Sequence, residues 1–283
     1  MYLRRLLLRS AIALLCAATA WPAAGAIITL SDLNSVVQID TTDTALPPSP
    51  GVFSWQVDGV NQVFQQLWFY SVNGGPRTLV NSLTPTSSSA QNLNANPGND
   101  KLTTHYMHGS LLHLDAVHRL TGGLAGSNTS RLEQSLVVEN LSAGPLDLQL
   151  FAYADFDVGG DTFNNSTALT GPSAALQTFG SWAVTESVSP GALHAMVGAS
   201  PNVSVLIEFT LDDLDGTAGP IVDDGTFAFQ WNVTLGPGQT ITLGRDANVN
   251  PVPEPGSLAL LAAMTGAGGS LWILRRRHRR RIA

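Results

Sequence analysis

Acidic residues are concentrated in two glycine-containing segments, where their carboxylates could act together. The first, residues 155–161 (DFDVGGD), follows a predicted strand and carries Asp155, Asp157 and Asp161. Carboxylate oxygens grouped on a tight turn are the ligands that a hard cation such as Ca²⁺ requires. The glycine spacing differs from that of an EF-hand loop, so the segment indicates either a calcium site of another kind or a solvated turn between strands.

The second acidic segment, residues 212–216 (DDLDG), has Asp223 and Asp224 close behind it in the sequence. Its glycine is also misplaced for an EF-hand loop. The segment is an alternative position for the same kind of cation, and a solvated acidic turn is again the competing interpretation.

Histidines form a third group, because His105, His108, His113 and His118 fall within fourteen residues. Imidazole nitrogens are ligands for zinc or copper. Side chains alternate along a strand, which puts His105 and His113 on one face and the other two on the opposite face. The four do not converge without a bend, and scattered surface histidines are the simpler interpretation.

Catalytic motifs are missing from the sequence. It contains no Gly-x-Ser-x-Gly elbow, no His-Glu-x-x-His motif and no phosphate-binding Gly-rich loop before a helix. Glycoside cleavage needs two carboxyl groups across a cleft, and the spacing of the strand glutamates places no two of them so. These are Glu133, Glu139, Glu186 and Glu208. A sugar-binding surface needs exposed aromatic rings, for which Trp55, Trp68 and Trp182 are the candidates.

Short strand-like runs separated by turn residues make up residues 27–250, without a sustained helical pattern. Residues 146–150 (LDLQL) and 227–233 (FAFQWNV) alternate apolar and polar side chains, the period of half-buried strands. Strands are predicted at 67–72, 111–119, 131–141, 146–156, 182–187, 193–197, 203–211, 227–235 and 240–243. The pattern favours an all-β fold, an antiparallel β-sandwich, and fits a barrel less well.

Three connecting segments have clear signals. Residues 73–75 (NGG) adopt positive φ at little energetic cost, which predicts a hairpin turn between strand-like segments at 67–72 and 78–80. Residues 41–50 contain three prolines and predict an irregular loop. Residues 83–100 are rich in Ser, Asn and Thr with few apolar side chains, which predicts a mobile loop.

Charge and cysteine content limit the possible partners and the source of stability. Residues 27–250 contain 5 basic and 20 acidic residues, a net charge of −15. Such a surface repels nucleic acid and anionic lipid and favours divalent cations. Cys16 is the single cysteine and lies in the N-terminal segment, so stability in residues 27–250 must come from packing rather than a disulfide.

The C-terminal region, residues 251–283, has three parts in a fixed order. Pro253, Glu254 and Pro255 precede an uncharged run at 257–274, and six arginines follow within 275–281. As a helix the run reaches about 27 Å, enough to span a thin hydrocarbon layer. The arginines, Arg275, Arg276, Arg277, Arg279, Arg280 and Arg281, would stay on the cytoplasmic side and leave the rest of the chain outside.

This arrangement resembles the PEP-CTERM sorting signal of exported bacterial proteins, matched at Pro253, Glu254, Pro255, the 257–274 helix and the arginine cluster. The resemblance covers roughly a tenth of the chain and carries no catalytic residue. It implies a Gram-negative bacterium that makes exopolysaccharide and biofilm, and processing by an exosortase in the inner membrane. An ordinary single-span tail anchor is the alternative.

The N-terminal region, residues 1–26, has the composition of a secretory signal peptide. Three arginines flank an apolar segment at 11–20, and Ala24 and Ala26 supply the small residues that signal peptidase needs, so cleavage is expected before Ile27. Cys16 lacks the small residue of a lipobox before it, and the arginines match a twin-arginine signal only loosely.

These observations predict a non-enzymatic, exported structural protein of the cell surface, outer envelope or biofilm matrix, with residues 27–250 as its ectodomain. Two alternatives stay open. One is a carbohydrate-binding module, with calcium as its possible cofactor and extracellular polysaccharide as its partner. The other is a carbohydrate-active enzyme.

Overall fold

Two antiparallel β-sheets make up the part of the chain that this computed structural model describes, residues 27–43, 50–210 and 212–252. In chain order the strands are β1 (Ile27–Asp32), β2 (Ser35–Asp40), β3 (Gly51–Val57), β4 (Val60–Asn61), β5 (Gln65–Val72), β6 (Thr78–Leu79), β7 (Pro85–Gln91), β8 (Lys101–His108), β9 (Leu112–Gly122), β10 (Ser130–Asn140), β11 (Leu146–Asp155), β12 (Asn165–Gly171), β13 (Ala174–Phe179), β14 (Trp182–Ser189), β15 (His194–Ala199), β16 (Ile221–Asp223), β17 (Gly225–Leu235) and β18 (Thr240–Pro251). One α-helix, α1 (Asn202–Phe209), lies between β15 and β16.

The first sheet has the strand order β1-β2-β3-β5-β11-β17-β15, with β4 paired to β3 and β6 paired to β5. The second has the order β16-β12-β13-β14-β18-β10-β9-β8-β7. The alternating burial of the strands, clearest in β9 and β10, turns every second side chain inward. The predicted all-β sandwich is therefore confirmed.

The main core lies between the two sheets. Trp55 and Phe156 are fully buried there, with ring centroids 6.5 Å apart, and the Trp55 indole donates a hydrogen bond to Ser130 Oγ on the second sheet. Each fully buried large apolar side chain contributes about 1.5–3 kcal/mol, so a core of this size needs no disulfide.

A smaller core covers the outer face of the first sheet. Phe151 and Tyr153 project from β11 on that face, and Val203 and Ile207 of α1 pack over them. The predicted strand at 203–211 is therefore wrong. Val203 and Ile207 are four residues apart, which places them on one side of a helix and lets α1 shield the apolar outer face.

Several strand predictions are confirmed, including those at 111–119, 131–141, 146–156 and 227–235. The predicted hairpin is also present: Asn73 and Gly74 have φ of +52° and +69°, and Gly75 N donates to Val72 O at 2.9 Å. The loop predicted at 83–100 is wrong in part, because β7 pairs with β8 as an edge strand. An edge strand satisfies its backbone hydrogen bonds on one side without burying its side chains.

The sorting signal at 251–283 and the signal peptide at 1–26 fall almost wholly outside the described residues. Among the residues that are described, no helix is long and apolar enough to cross a membrane.

Candidate functional site

Three carboxylates meet at one end of the sandwich. Asp155 ends β11, Asp157 follows two residues later, and Asp224 immediately precedes β17. One carboxylate oxygen from each lies within 4.8 Å of the other two. The pairing of β11 with β17 sets Asp155 opposite Thr226, and this register brings Asp224 to the acidic turn.

The chain crosses between the two sheets twice at this point. After Asp157 it leaves the first sheet for β12 in the second, and between β16 and β17 it returns. A 3₁₀ turn at Val158–Gly160 makes the first crossing, with Gly159 and Gly160 at φ of +69° and +78°. A Cβ on Gly159 would also lie 2.9 Å from the Trp182 ring, so the sharp turn beside the carboxylates requires glycine there.

These carboxylates are poorly solvated. Asp155 is 2% exposed and Asp157 8% exposed. Burial, followed by the charge of Asp224, raises the pKa of Asp155 to about 7 and that of Asp157 to about 6. Burial also raises the pKa of Asp224. Among the described residues, the charges that shift the pKa values of Asp155 and Asp157 are all carboxylates, so protein cations do not neutralise the group.

One oxygen of Asp155 has no hydrogen-bond partner in the described structure. Its Oδ2 accepts from the Tyr153 hydroxyl at 3.3 Å and from Ser200 Oγ at 3.4 Å. Its Oδ1 is buried and accepts no hydrogen bond. Burying a carboxylate oxygen without a partner is costly, and a bound cation would remove that cost.

The strands that follow the acidic turn carry further buried oxygens without a described hydrogen-bond partner: Asn165 Oδ1, Thr167 Oγ1 and Gln177 Oε1. The Gln177 amide donates to Phe156 O at 2.6 Å, which places it against the acidic turn. Thr167 Oγ1 would lie 2.3 Å from a Cβ on Gly225, the residue after Asp224. Oxygen-rich surroundings with excess negative charge are typical of a site for a hard divalent cation.

Asp161 lies outside the three-carboxylate group. Its exposed Oδ1 accepts from Phe163 N at 2.9 Å and Asn164 N at 2.7 Å, and these backbone hydrogen bonds lower the pKa of Asp161. The structure therefore brings Asp155 and Asp157 together as expected from the sequence and adds Asp224 from the distant second acidic region. Asp161 instead organises the turn at 161–164.

The carboxylates of Asp213 and Asp215, in the segment at 212–216, accept hydrogen bonds from nearby protein groups and lie outside the three-carboxylate group. Asp213 Oδ1 accepts hydrogen bonds from Gln230 and, at 3.2 Å, from Gln149, and the Gln230 hydrogen bond is the main cause that lowers the pKa of Asp213. Asp215 Oδ1 accepts from Thr217 N at 2.8 Å. Within the described residues this segment does not form a three-carboxylate cluster.

The glutamates considered for glycoside cleavage have different partners. Glu133 lies 2.9 Å from Arg131, Glu139 lies 3.7 Å from His113, and Glu186 is buried against Arg245. Glu208 is exposed on α1. Trp55 and Trp68 belong to the core, so they cannot form the exposed aromatic surface considered for sugar binding, and Trp182 is only partly exposed.

A shallow polar groove crosses the outer face of the first sheet between β11 and β17. Its lining includes Asp147, Gln149, Asn232 and Thr234. Thr234 Oγ1 donates to Asp147 Oδ1 at 2.6 Å. Carboxylate, amide and hydroxyl groups on a rigid sheet can hydrogen-bond the hydroxyl groups of a sugar.

The histidines divide as the strand alternation predicts. His118 is buried, and burial lowers its pKa to about 4. His108 packs edge-on against Tyr70, with ring centroids 5.5 Å apart. His105 and His113 share the outward face of the second sheet.

No protein-family model and no curated protein matches the chain. Its fold, an all-β sandwich, is similar to that of several solved structures. A bacterial glucoamylase in complex with acarbose superposes with a TM-score of 0.53 at 9% identity, over 87% of this chain and 36% of the glucoamylase. The chain thus spans about a third of that enzyme.

Two further structures match over about four fifths of this chain and over more than nine tenths of their own length. The Slr1438 protein from Synechocystis sp. PCC 6803 has a TM-score of 0.50 at 9% identity, over 81% of this chain and 97% of its own. A galactose 1-epimerase from Lactobacillus acidophilus has a TM-score of 0.49 at 8% identity. At such identities the likeness shows the fold alone.

Proposed function

We propose that the chain is an exported envelope or biofilm protein whose β-sandwich binds Ca²⁺ at Asp155, Asp157 and Asp224 and binds extracellular carbohydrate. The observation that carries the cation part is the three-carboxylate group, in which Asp155 and Asp157 are buried and Asp155 Oδ1 has no hydrogen-bond partner among the described residues. Calcium takes six to eight oxygen ligands, and the buried oxygens of the neighbouring strands are of the type it prefers.

Extracellular modules typically bind Ca²⁺ with dissociation constants of about 10⁻⁴–10⁻³ M. Asp155 and Asp157 lie at the first crossing between the sheets, and Asp224 lies at the second. A bound ion would therefore link the two crossings. The cation therefore has a structural role in this proposal, and it stiffens one end of the sandwich.

The carbohydrate part has weaker but independent support. Part of a bacterial glucoamylase that was solved in complex with acarbose has a similar fold. The polar groove beside Gln149 and Asn232 offers hydrogen-bonding groups on rigid strands. The groove lies six to eight residues along β11 from Asp155, roughly 20–27 Å away, so the ion would not contact the sugar directly.

Export and sorting complete the proposal. The N-terminal region would direct the chain across the inner membrane and the C-terminal helix would hold it there in transit. Exosortase-type processing at Pro253, Glu254 and Pro255 would then deliver it to the cell surface or matrix.

A glycan array probed with the full chain, with and without Ca²⁺, tests the carbohydrate part. We expect binding to a polysaccharide class that is lost in Asn232→Ala and reduced, through loosening of the sandwich, in Asp155→Asn. Asp161→Asn is the matched control for the calcium site and should bind as the unaltered chain does. Absence of binding to every glycan, in both conditions, would contradict the carbohydrate part and leave the calcium part to its own titration.

A further inference from the structure

The outward face of the second sheet carries a histidine pair on neighbouring strands. In the β8–β9 pairing His105 lies opposite Asp115, and His113 lies opposite Met107 one step along the same face. The two imidazole rings stack at a centroid distance of 5.8 Å with an interplanar angle of 9°. Because β8 and β9 are each paired with a strand on both sides, the backbone fixes this geometry.

Both rings direct a nitrogen at the same carboxylate oxygen. His105 Nδ1 lies 2.5 Å and His113 Nε2 lies 2.9 Å from Asp115 Oδ1. The three potential ligand atoms lie within 4.8 Å of one another. Two imidazole nitrogens and one carboxylate oxygen are a ligand set that Zn²⁺ binds in proteins.

A second carboxylate lies behind His113. Glu139 of β10 is opposite His113 in the β9–β10 pairing, and its Oε2 lies 3.7 Å from His113 Nδ1. Metal-binding histidines usually donate their second ring N–H to a carboxylate, which fixes the tautomer and orients the ring. Glu139 occupies the position of such a partner.

The proton positions strengthen this interpretation. If a neutral His113 donates its Nε2 hydrogen to Asp115, its Nδ1 lone pair faces the carboxylate of Glu139, which is unfavourable. A metal at Nε2 removes this conflict, because the hydrogen then moves to Nδ1, which faces the Glu139 carboxylate 3.7 Å away.

The site is accessible to solvent, so a bound metal could keep a water ligand. The four side chains are 24–39% exposed, so the site opens to solvent. On the adjoining strands β7 presents Ser87 opposite His105, while Lys101 and Arg119 lie four residues along β8 and β9, roughly 13 Å away. Two carboxylates with distant cations favour a divalent ion electrostatically.

We propose that His105 Nδ1, His113 Nε2 and Asp115 Oδ1 bind one Zn²⁺, with Glu139 positioning His113 and the fourth coordination position facing solvent. This site is separate from the three-carboxylate group in its ligand chemistry and in its place on the second sheet. It does not depend on the calcium or carbohydrate proposals.

Calorimetric titration of ZnCl₂ into the chelator-treated full chain in mild detergent tests the site. The titration is made in an Asp155→Asn, Asp157→Asn background, so that the acidic group does not contribute. We expect one Zn²⁺ per chain, loss of this binding in His105→Gln with His113→Gln, and about 10–100-fold weaker binding in Glu139→Gln. Substitution by Co²⁺ should give the visible absorption of a four-coordinate nitrogen and oxygen site.

His194→Gln is the matched control, because His194 is also partly exposed on a strand, 3.5 Å from the single carboxylate of Asp213. Its Zn²⁺ affinity should equal that of the parent. The proposal is overturned if the double histidine variant, shown by circular dichroism to be folded, binds Zn²⁺ as tightly as the parent. It is equally overturned if the parent binds no Zn²⁺.

Discussion

Arg245 and Glu186 form an ion pair that is completely buried between the two sheets. Arg245 Nη2 lies 2.8 Å from the Glu186 carboxylate, and both side chains are 0% exposed. The guanidinium also donates to Tyr153 O at 3.0 Å on the first sheet, so a side chain of β18 is bonded to the opposite layer. Burial raises the pKa of Glu186, and the charge of Arg245 opposes that effect.

Breaking this pair should destabilise the sandwich strongly. Arg245→Met leaves the Glu186 carboxylate buried with only the Gln66 amide as hydrogen-bond donor, and we expect a loss of about 3–5 kcal/mol in the free energy of unfolding. The measurement is urea unfolding followed by tryptophan fluorescence. The double variant Arg245→Met, Glu186→Leu should recover most of the loss, since no charge is then left alone. A double variant as unstable as the single one would contradict the role of the unpaired charge.

Calcium should stabilise the folded chain through Asp155, Asp157 and Asp224. At ten times the dissociation constant the expected gain is about 1.4 kcal/mol. Thermal unfolding in EDTA and in millimolar Ca²⁺ measures it as a rise in melting temperature. Asp155→Asn should abolish the rise, whereas Asp161→Asn should keep it, because Asp161 bonds its own turn. An unchanged melting temperature in the parent would exclude the site.

The pH dependence of the same site has a defined sign. Asp155 and Asp157 have folded-state pKa values of about 7 and about 6, above the ordinary value of 3.8, so the metal-free folded state holds their protons more tightly than the unfolded state. Their contribution to stability is therefore complete below about pH 4 and is lost as the pH rises through 6 and 7.

Ca²⁺ competes with these protons, so the rise in melting temperature should be small near pH 5 and large near pH 8. Melting curves at both pH values, in EDTA and in Ca²⁺, measure the difference. The double variant Asp155→Asn, Asp157→Asn should show neither the decline with pH in EDTA nor the response to Ca²⁺. A calcium response that is larger at pH 5 would rule out binding through these carboxylates.

The parts of this fold that the sequence predicted are those whose signal is local. β11 and β17 alternate apolar and polar side chains, and the turn at Asn73 contains residues that adopt positive φ. The strand prediction over α1 is wrong because an eight-residue segment rich in Val and Ile has no decisive period, and the packing of α1 on the outer sheet face is a tertiary effect.

The candidate site shows the same division. Asp155 and Asp157 are close in sequence, and their spacing on one turn predicts that their carboxylates lie together. Asp224 is 67 residues beyond Asp157, and only the β11–β17 register places it beside them. Likewise, alternation correctly grouped His105 with His113, but the convergence of both on Asp115 depends on how β8 pairs with β9.

The last prediction concerns the C-terminal region, which lies beyond the described residues. The resemblance to a sorting signal predicts that a processing enzyme recognises Pro253, Glu254 and Pro255, because neither proline can continue a helix and Glu254 supplies a charge. Arginines cross a membrane at high cost, so the sequence predicts that residues 275–281 stay on the cytoplasmic side and set the depth at which the motif is presented. We therefore expect mass spectrometry of the protein from its native host to find a C-terminus near Pro255.

Replacing Pro253, Glu254 and Pro255 by alanine should restore peptides that reach Ala283, whereas the conservative change Arg279→Lys should leave processing intact. Intact C-terminal peptides as the main species in the unaltered protein would show a permanent tail anchor instead.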